Sequence, residues 1–264
     1  MDKIDPVAIQ AAAWAAANAA LAKTLAPFRT QLAVDNKEFG SFDPVTEADR
    51  AAELAMRETL SKLRPEDGIL GEEFAPRSGR SGLTWVLDPI DGTRAYICGT
   101  PTWGTLIAAS TRDGPIAGII DQPHIGERFW GGFGEAFLER GETRSPLKTS
   151  DRKLQDARLF TTFPEVGTKE DRMGFEAVAC LARLTRYGLD CYAYALVALG
   201  QADLVIEAGL QPYDIQAPIA VIEAAGGIVT NWRGGPAHHG GQVLAAANEP
   251  LHAEALELLT PFAM

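Results

Sequence analysis

The sequence predicts a mixed α/β chain (α+β in its first part) forming one compact unit of two lobes, and three features of its patterning say so. Two helical patterns occupy most of the first 63 residues. Short apolar runs bounded by Gly, Pro and Asp follow from Gly68 to Leu138. Strand-like and helix-like segments then alternate to the end. The lobes are expected at about 1–150 (α+β) and 151–264 (α/β) within a single domain.

Asp5-Pro6 opens an Ala-rich run to about Phe28, read as an N-capped helix with proline in its first turn. It follows Asp2, Lys3 and Asp5 rather than a basic leader, and it is too short and too weakly apolar to span a bilayer. After a polar loop from Asp35 to Asp43, a second helix runs from Glu47 to Leu63. Ala51, Leu54, Ala55 and Leu60 stand at helical spacing, and acids occupy its first turn. Strands are expected at Gly68–Leu70, Thr84–Leu87, Thr105–Ala109, Ile116–Ile120, Arg128–Trp130 and Ala136–Leu138, several of them neighbours in one antiparallel or mixed sheet. Next come a strand at Leu159–Thr161, helices near Lys169–Ala182 and Cys191–Leu199, and a strand at Leu204–Ile206. A helix at Tyr213–Ala225, strands at Ile228–Thr230 and Val243–Ala246, and a helix after Pro250 complete the pattern.

Of the 264 residues, 46% are hydrophobic, enough to bury a core without disulfide support. Against 35 Asp and Glu stand 24 Lys and Arg, a net charge of −11 with no basic run, which argues against nucleic-acid and anionic-membrane partners. A bound phosphate would need a local positive source, a metal ion or a helix N-terminus. Cys98, Cys180 and Cys191 match neither a disulfide framework nor a zinc site, so a reducing compartment, the cytoplasm, is expected. No serine-hydrolase elbow, Walker loop or His-Glu-x-x-His helix is present, and Gly131-Gly132-Phe133-Gly134 lacks the setting of a dinucleotide fingerprint.

The most informative segment is Trp85-Val86-Leu87-Asp88-Pro89-Ile90-Asp91-Gly92-Thr93, where an apolar strand runs straight into two carboxylates. Pro89 restricts Asp88 to extended geometry and Gly92 permits a tight turn, so Asp88, the Ile90 carbonyl and Asp91 can converge as hard oxygen ligands suited to Mg²⁺. An ordinary Asp-Gly turn has the same local sequence. Three further acidic pieces stand at element ends: Gly71-Glu72-Glu73, Asp43-Pro44-Val45-Thr46-Glu47-Ala48-Asp49 and Pro212-Tyr213-Asp214. Singly these read as a solvated loop or helix caps. Brought together, like charges about 4 Å apart would repel by about 4 kcal/mol per pair at an effective dielectric of about 20, so the cluster would need cations to remain ionised.

In order and separation, these four pieces resemble the Mg²⁺-dependent inositol-monophosphatase superfamily across nearly the whole chain. The resemblance implies a layered αβαβα sandwich, metal ligands at Glu72, Asp88, the Ile90 carbonyl, Asp91 and Asp214, and two or three Mg²⁺ ions. It implies a metal-bound water as nucleophile, its proton handled by Thr93 with Asp49 behind it, and phosphate oxygens held by the Gly92 and Thr93 amides. It also implies a homodimer.

The substrate is expected to be a small phosphate ester. Arg94-Ala95-Tyr96 replaces the usual Thr-Asn-Phe of inositol enzymes, and Tyr213 stands where the wider family has Trp. With Gly99–Ile107, Asp190–Ala195 and Glu207–Ile215, these stretches resemble the histidinol-phosphate phosphatase branch. Asp190 and Glu207 would then receive the ammonium and imidazole of histidinol, and Arg186 would touch substrate or phosphate. Alternatives are inositol-1-phosphate or a broad range of sugar phosphates, 3′-phosphoadenosine 5′-phosphate, and a non-catalytic metal-binding regulator. Lys37 is a candidate for tuning an extra metal.

Overall fold

The computed structural model describes residues 4–31, 34–36 and 44–264; Lys37 and Asp43 lie outside the described residues. Helices α1 (Pro6–Leu25) and α2 (Glu47–Leu63) open the chain, with a short antiparallel pair, β1 (Val34–Asn36) and β2 (Pro44–Thr46), between them. The Asp5 carboxylate caps α1 by accepting the Val7 N–H at 3.0 Å, as the sequence indicates. The helix stops at Leu25 rather than Phe28 because Pro27 has no N–H to continue the ladder. Its buried alanines, Ala12, Ala13, Ala16, Ala17 and Ala20, let it lie close against α2 and the sheet below.

The six expected strands, joined by a seventh that the sequence reading did not include, form one sheet: β3 (Gly68–Gly71), β4 (Thr84–Asp91), β5 (Gly104–Thr111), β6 (Gly114–Gln122), β7 (Glu127–Gly132), β8 (Glu135–Arg140) and the additional β9 (Thr143–Pro146). They neighbour one another in chain order and are antiparallel apart from the parallel β3–β4 pair. A single turn and a half of helix, α3 (Thr93–Ile97), follows β4.

The second half supplies β10 (Arg158–Thr161), α4 (Lys169–Ala179), β11 (Leu184–Tyr187), α5 (Cys191–Ala198), β12 (Leu204–Leu210), α6 (Pro212–Ala224), β13 (Ile228–Thr230), β14 (Gly241–Ala246) and α7 (Glu249–Leu259). Its five strands lie in the order β11–β10–β12–β14–β13. Helix α4 ends at Ala179, before the expected Ala182, because the chain turns there into the edge strand β11, which has no alternating pattern to announce it.

Five layers result. Helices α1 and α2 cover one face of the seven-stranded sheet, α5 and α6 lie between the two sheets, and α4 and α7 cover the far face of the five-stranded sheet. Among the described residues two large cores fill the gaps, one under α1 and α2 around Trp85 and Trp130, the other continuous from Phe129 through α5 and α6 to Phe175 and Trp232, and a smaller third gathers Phe28, Ala48, Ile90, Tyr96 and Trp103. Helix α6 approaches β6 and β7 at two glycines. A Cβ on Gly118 would sit 2.8 Å from the Ala217 carbonyl oxygen, and one on Gly131 would sit 2.4 Å from Val221 Cα.

One buried ion pair fixes the start of β10. The fully buried Asp203 carboxylate accepts from Ser150 Oγ, from the Arg158 amide at 2.7 Å and from Arg158 Nε at 2.8 Å, and these donors hold its pKa below the usual carboxylate value. Asp203→Ala leaves Arg158 uncompensated, so we expect a loss of about 3–5 kcal/mol in urea unfolding at pH 7. The depressed pKa means this contribution is present above about pH 4 and fades as pH falls through the native-state value.

Candidate active site

Strand β4 ends in a bulge. Asp88 pairs with Leu106 but Asp91 with Gly104, so two residues, Pro89 and Ile90, oppose the single Thr105. The Thr105 hydroxyl holds the Pro89 carbonyl at 2.8 Å, and the Ile90 amide donates to Asp88 Oδ1 at 3.0 Å. The strand thereby turns Asp88 and Asp91 to the same side. Gly92 follows with φ 83°, and a side chain there would collide with Asp190 Cγ at 2.8 Å, so glycine is required by both conformation and space.

Asp214 reaches the same point from the first turn of α6, where one of its oxygens accepts the Gln211 amide at 2.7 Å. Carboxylate oxygens of Asp88, Asp91 and Asp214 lie within 4.8 Å of one another. Burial, then the charges of Glu72, Asp91 and Asp214, pushes Asp88 well above the usual carboxylate range. Burial and the charges of Asp190 and Asp214 do the same to Asp91, whose Oδ2 also accepts the Cys191 amide at 2.6 Å. Three acids with carboxylate oxygens this close together fit a divalent cation, and the all-oxygen donor set fits Mg²⁺.

Glu72 lines the same cavity and acts on Asp88 electrostatically. Glu53, which the sequence reading passed over, positions that segment: fully buried on α2, it accepts the Glu73 amide and Arg57 Nε, both at 2.6 Å. Its signal was present, four residues after Asp49 on the same helical face. Asp49 itself is buried at the start of α2, where it accepts the Thr46 amide at 2.8 Å in a capping box. Burial raises its pKa. Thr93 Oγ1 lies 3.5 Å from Asp49 Oδ1 and 3.2 Å from the Ile90 carbonyl.

These groups open into a cavity of about 430 Å³. The carboxylates of Glu72, Asp91, Asp190, Glu207 and Asp214 line it, and among the described residues Arg94 is the one cation in its wall. Asp190 precedes α5 in a strained backbone conformation, φ 48° and ψ −141°, and caps nothing with its side chain. Burial and the charge of Glu207 raise it to about 6, against the opposing effects of Thr102 and Arg94. Glu207 is not solvated at a strand end. Its carboxylate accepts from Thr162 N at 2.9 Å, from the Thr162 hydroxyl and from Tyr194 Oη at 2.8 Å, and burial raises its pKa.

Arg186 is exposed on the edge strand β11 and is not among the residues that line the cavity within this chain. Phe163, Thr162 and Tyr194 line the cavity without having been foreseen.

The description of the inositol monophosphatase family matches residues 1–261. The bifunctional phosphatase IMPL2 of Arabidopsis thaliana is 40% identical over 243 residues, covering 88% of this chain and 69% of its own. A histidinol-phosphatase of Streptomyces coelicolor is 36% identical over 258 residues, covering 92% and 93%. An inositol monophosphatase structure from Zymomonas mobilis superposes with TM-score 0.85 at 38% identity, covering 97% and 99%. With kinship along essentially its whole length and the acids of β4 and α6 gathered at one cavity, the chain belongs to the inositol monophosphatase family, metal-dependent hydrolases of phosphoric monoesters.

Proposed function

We propose that the protein hydrolyses L-histidinol phosphate to L-histidinol and phosphate, a step of histidine biosynthesis, with Mg²⁺ at Asp88, Asp91, Asp214, Glu72 and the Ile90 carbonyl. The observation that carries the substrate is the second pair of acids: Asp190 and Glu207 face the cavity beyond the metal-ligand cluster, where an ammonium and an imidazole N–H find charged partners, whereas a neutral polyol brings no charge to compensate theirs. The name of the Streptomyces relative supports the same reading.

Mg²⁺ ions held there, two or three in number, supply positive charge to the phosphoryl oxygens and acidify water. The remaining work belongs to the chain. The Thr93 hydroxyl, donating toward Asp49 and the Ile90 carbonyl, turns a lone pair to the cavity to take up the proton of the attacking water, and Asp49 stands behind it as final acceptor. The Gly92 and Thr93 amides hold phosphate oxygens at the start of α3. Glu72 orients the water from the opposite wall. The working form in this proposal is a cytoplasmic homodimer; among the described residues no helix is long and apolar enough to cross a membrane.

Inositol-1-phosphate, or a broader range of sugar phosphates, is the second reading, favoured by the Zymomonas structure. The acidic wall disfavours 3′-phosphoadenosine 5′-phosphate, and the retained acids disfavour a non-catalytic regulator. The test is phosphate release by the purified protein with Mg²⁺ from histidinol phosphate, inositol-1-phosphate and 3′-phosphoadenosine 5′-phosphate at matched concentrations, with EDTA as control. We expect kcat/KM for histidinol phosphate to exceed the others by about 10²-fold or more, as for a site built to bind polar groups that its competitors lack. Equal or better turnover of inositol-1-phosphate would replace the substrate and keep the metal site.

A further inference from the structure

We propose that Phe163, pinned by Arg94, is the specificity wall against which the flat, nitrogen-bearing ring of the substrate's alcohol portion packs; this inference rests on the histidinol-phosphate reading above. Phe163 follows β10 on the five-stranded side of the cavity and lines it with a ring that is 43% exposed. An aromatic ring left this open at a cavity wall is apolar surface available to a ligand.

Two contacts hold it there before any ligand arrives. The Arg94 guanidinium comes from α3, on the seven-stranded side, and lies over the ring with Cζ 4.8 Å from its centroid, within the range of a cation–π contact. From behind, the preceding residue is fixed, since the Thr162 amide and hydroxyl both donate to Glu207. The platform and the acid beside it are thus one assembly, and the ordering of an exposed side chain precedes binding rather than opposing it.

The rest of the wall fits the same ligand chemistry. A carboxylate has about four acceptor positions. Thr162 and Tyr194 fill three at Glu207, which leaves room for about one ligand N–H. Asp190, held by the Thr102 hydroxyl at 3.4 Å, is the second acid within reach of the cavity. Hydroxyl and amide side chains such as Thr161 and Gln211 also line the cavity, but the ring face of Phe163 with the apolar Leu210 and the two anions is the part of the wall that a polyol does not use and a flat cationic ring does. That set matches a flat ring on Phe163 with its N–H and a neighbouring ammonium on the acids.

The test compares wild type, Phe163→Ala, Phe163→Tyr and Arg94→Gln, each with Mg²⁺, on histidinol phosphate, inositol-1-phosphate and the ring-free ester glycerol 2-phosphate. In Phe163→Ala the ratio of kcat/KM for histidinol phosphate to that for glycerol 2-phosphate should fall about tenfold, through KM. Phe163→Tyr should restore most of the ratio, and Arg94→Gln should fall between. An unchanged ratio, or equal losses on both esters, overturns the platform. The two failures are distinguishable: a wild type that prefers inositol-1-phosphate removes the substrate reading and this inference with it, whereas a wild type that prefers histidinol phosphate and a Phe163→Ala variant with unchanged ratio remove the platform alone.

Discussion

Asp91→Asn is expected to lower phosphate release from any accepted ester by about 10³-fold or more, because it deletes one negative ligand from the cluster while leaving the shape of the side chain intact. The amide oxygen of Asn still accepts the Cys191 N–H that Asp91 Oδ2 accepts at 2.6 Å, so the start of α5 stays in place. What changes is charge. Asp91 is half-buried, and burial together with the charges of Asp190 and Asp214 disfavours its ionised form, so neutralising it relieves strain in the metal-free protein. In EDTA the variant should therefore melt at or above the wild-type temperature, and added Mg²⁺ should raise its melting temperature less than it raises that of wild type. Activity within tenfold of wild type at saturating Mg²⁺ would show that Asp91 is not a ligand.

Metal removal gives the second large effect. At about 100 times its dissociation constant, a cation that binds only the native state adds about 2.7 kcal/mol, which for a chain of this size raises Tm by about 5–10 °C. The effect depends on pH with a definite sign. Asp88 and Asp91 have native pKa values raised well above those of the unfolded chain, so over the window from about pH 4 upward the native state holds more protons. Stability in EDTA is therefore full below the unfolded pKa and is lost as pH rises through the native values. Mg²⁺ should cancel that decline by compensating the ionised forms. Calorimetric scans between pH 4 and 8 with EDTA and with Mg²⁺ check this, and a metal-free protein whose stability rises steadily over that range would refute it.

The acidic cluster was legible because its chemistry is local. Asp88, Pro89, Asp91 and Gly92 are consecutive enough to dictate a strand end, a bulge and a turn, and Asp214 carries its own helix-start signature. Six strands of the larger sheet were legible for a related reason: turn residues between short apolar runs join strands that pair with their chain neighbours; β9, exposed throughout and without an apolar run, was not. The substrate wall was only half legible. Acids at 190 and 207 show in the sequence, but the Thr162 and Tyr194 donors that fix Glu207 come from two other elements, and no local spacing relates them. Phe163 meets Arg94 from the opposite sheet, a contact between segments with no sequence signature. Arg186 stands on β11, four residues at a sheet edge, too short for its pattern to show which side faces the site.

Gly118 and Gly131 bear on the chemistry although neither touches the cavity. Helix α6 rests on the backbone of β6 and β7 at these positions, and the same helix carries Asp214 toward acids anchored on β4 of that sheet. The two glycines act as a gauge block: the thickness of the joint sets the separation of the acids at its end. A methyl group at 131, needing ordinary van der Waals separation where only 2.4 Å is available, would lift α6 by about 1 Å. Mg²⁺ demands oxygen distances of about 2.0–2.1 Å, so its tolerance is tighter than that displacement. The dimensional error would be read out first as a raised Mg²⁺ requirement, at a distance from the residue that caused it.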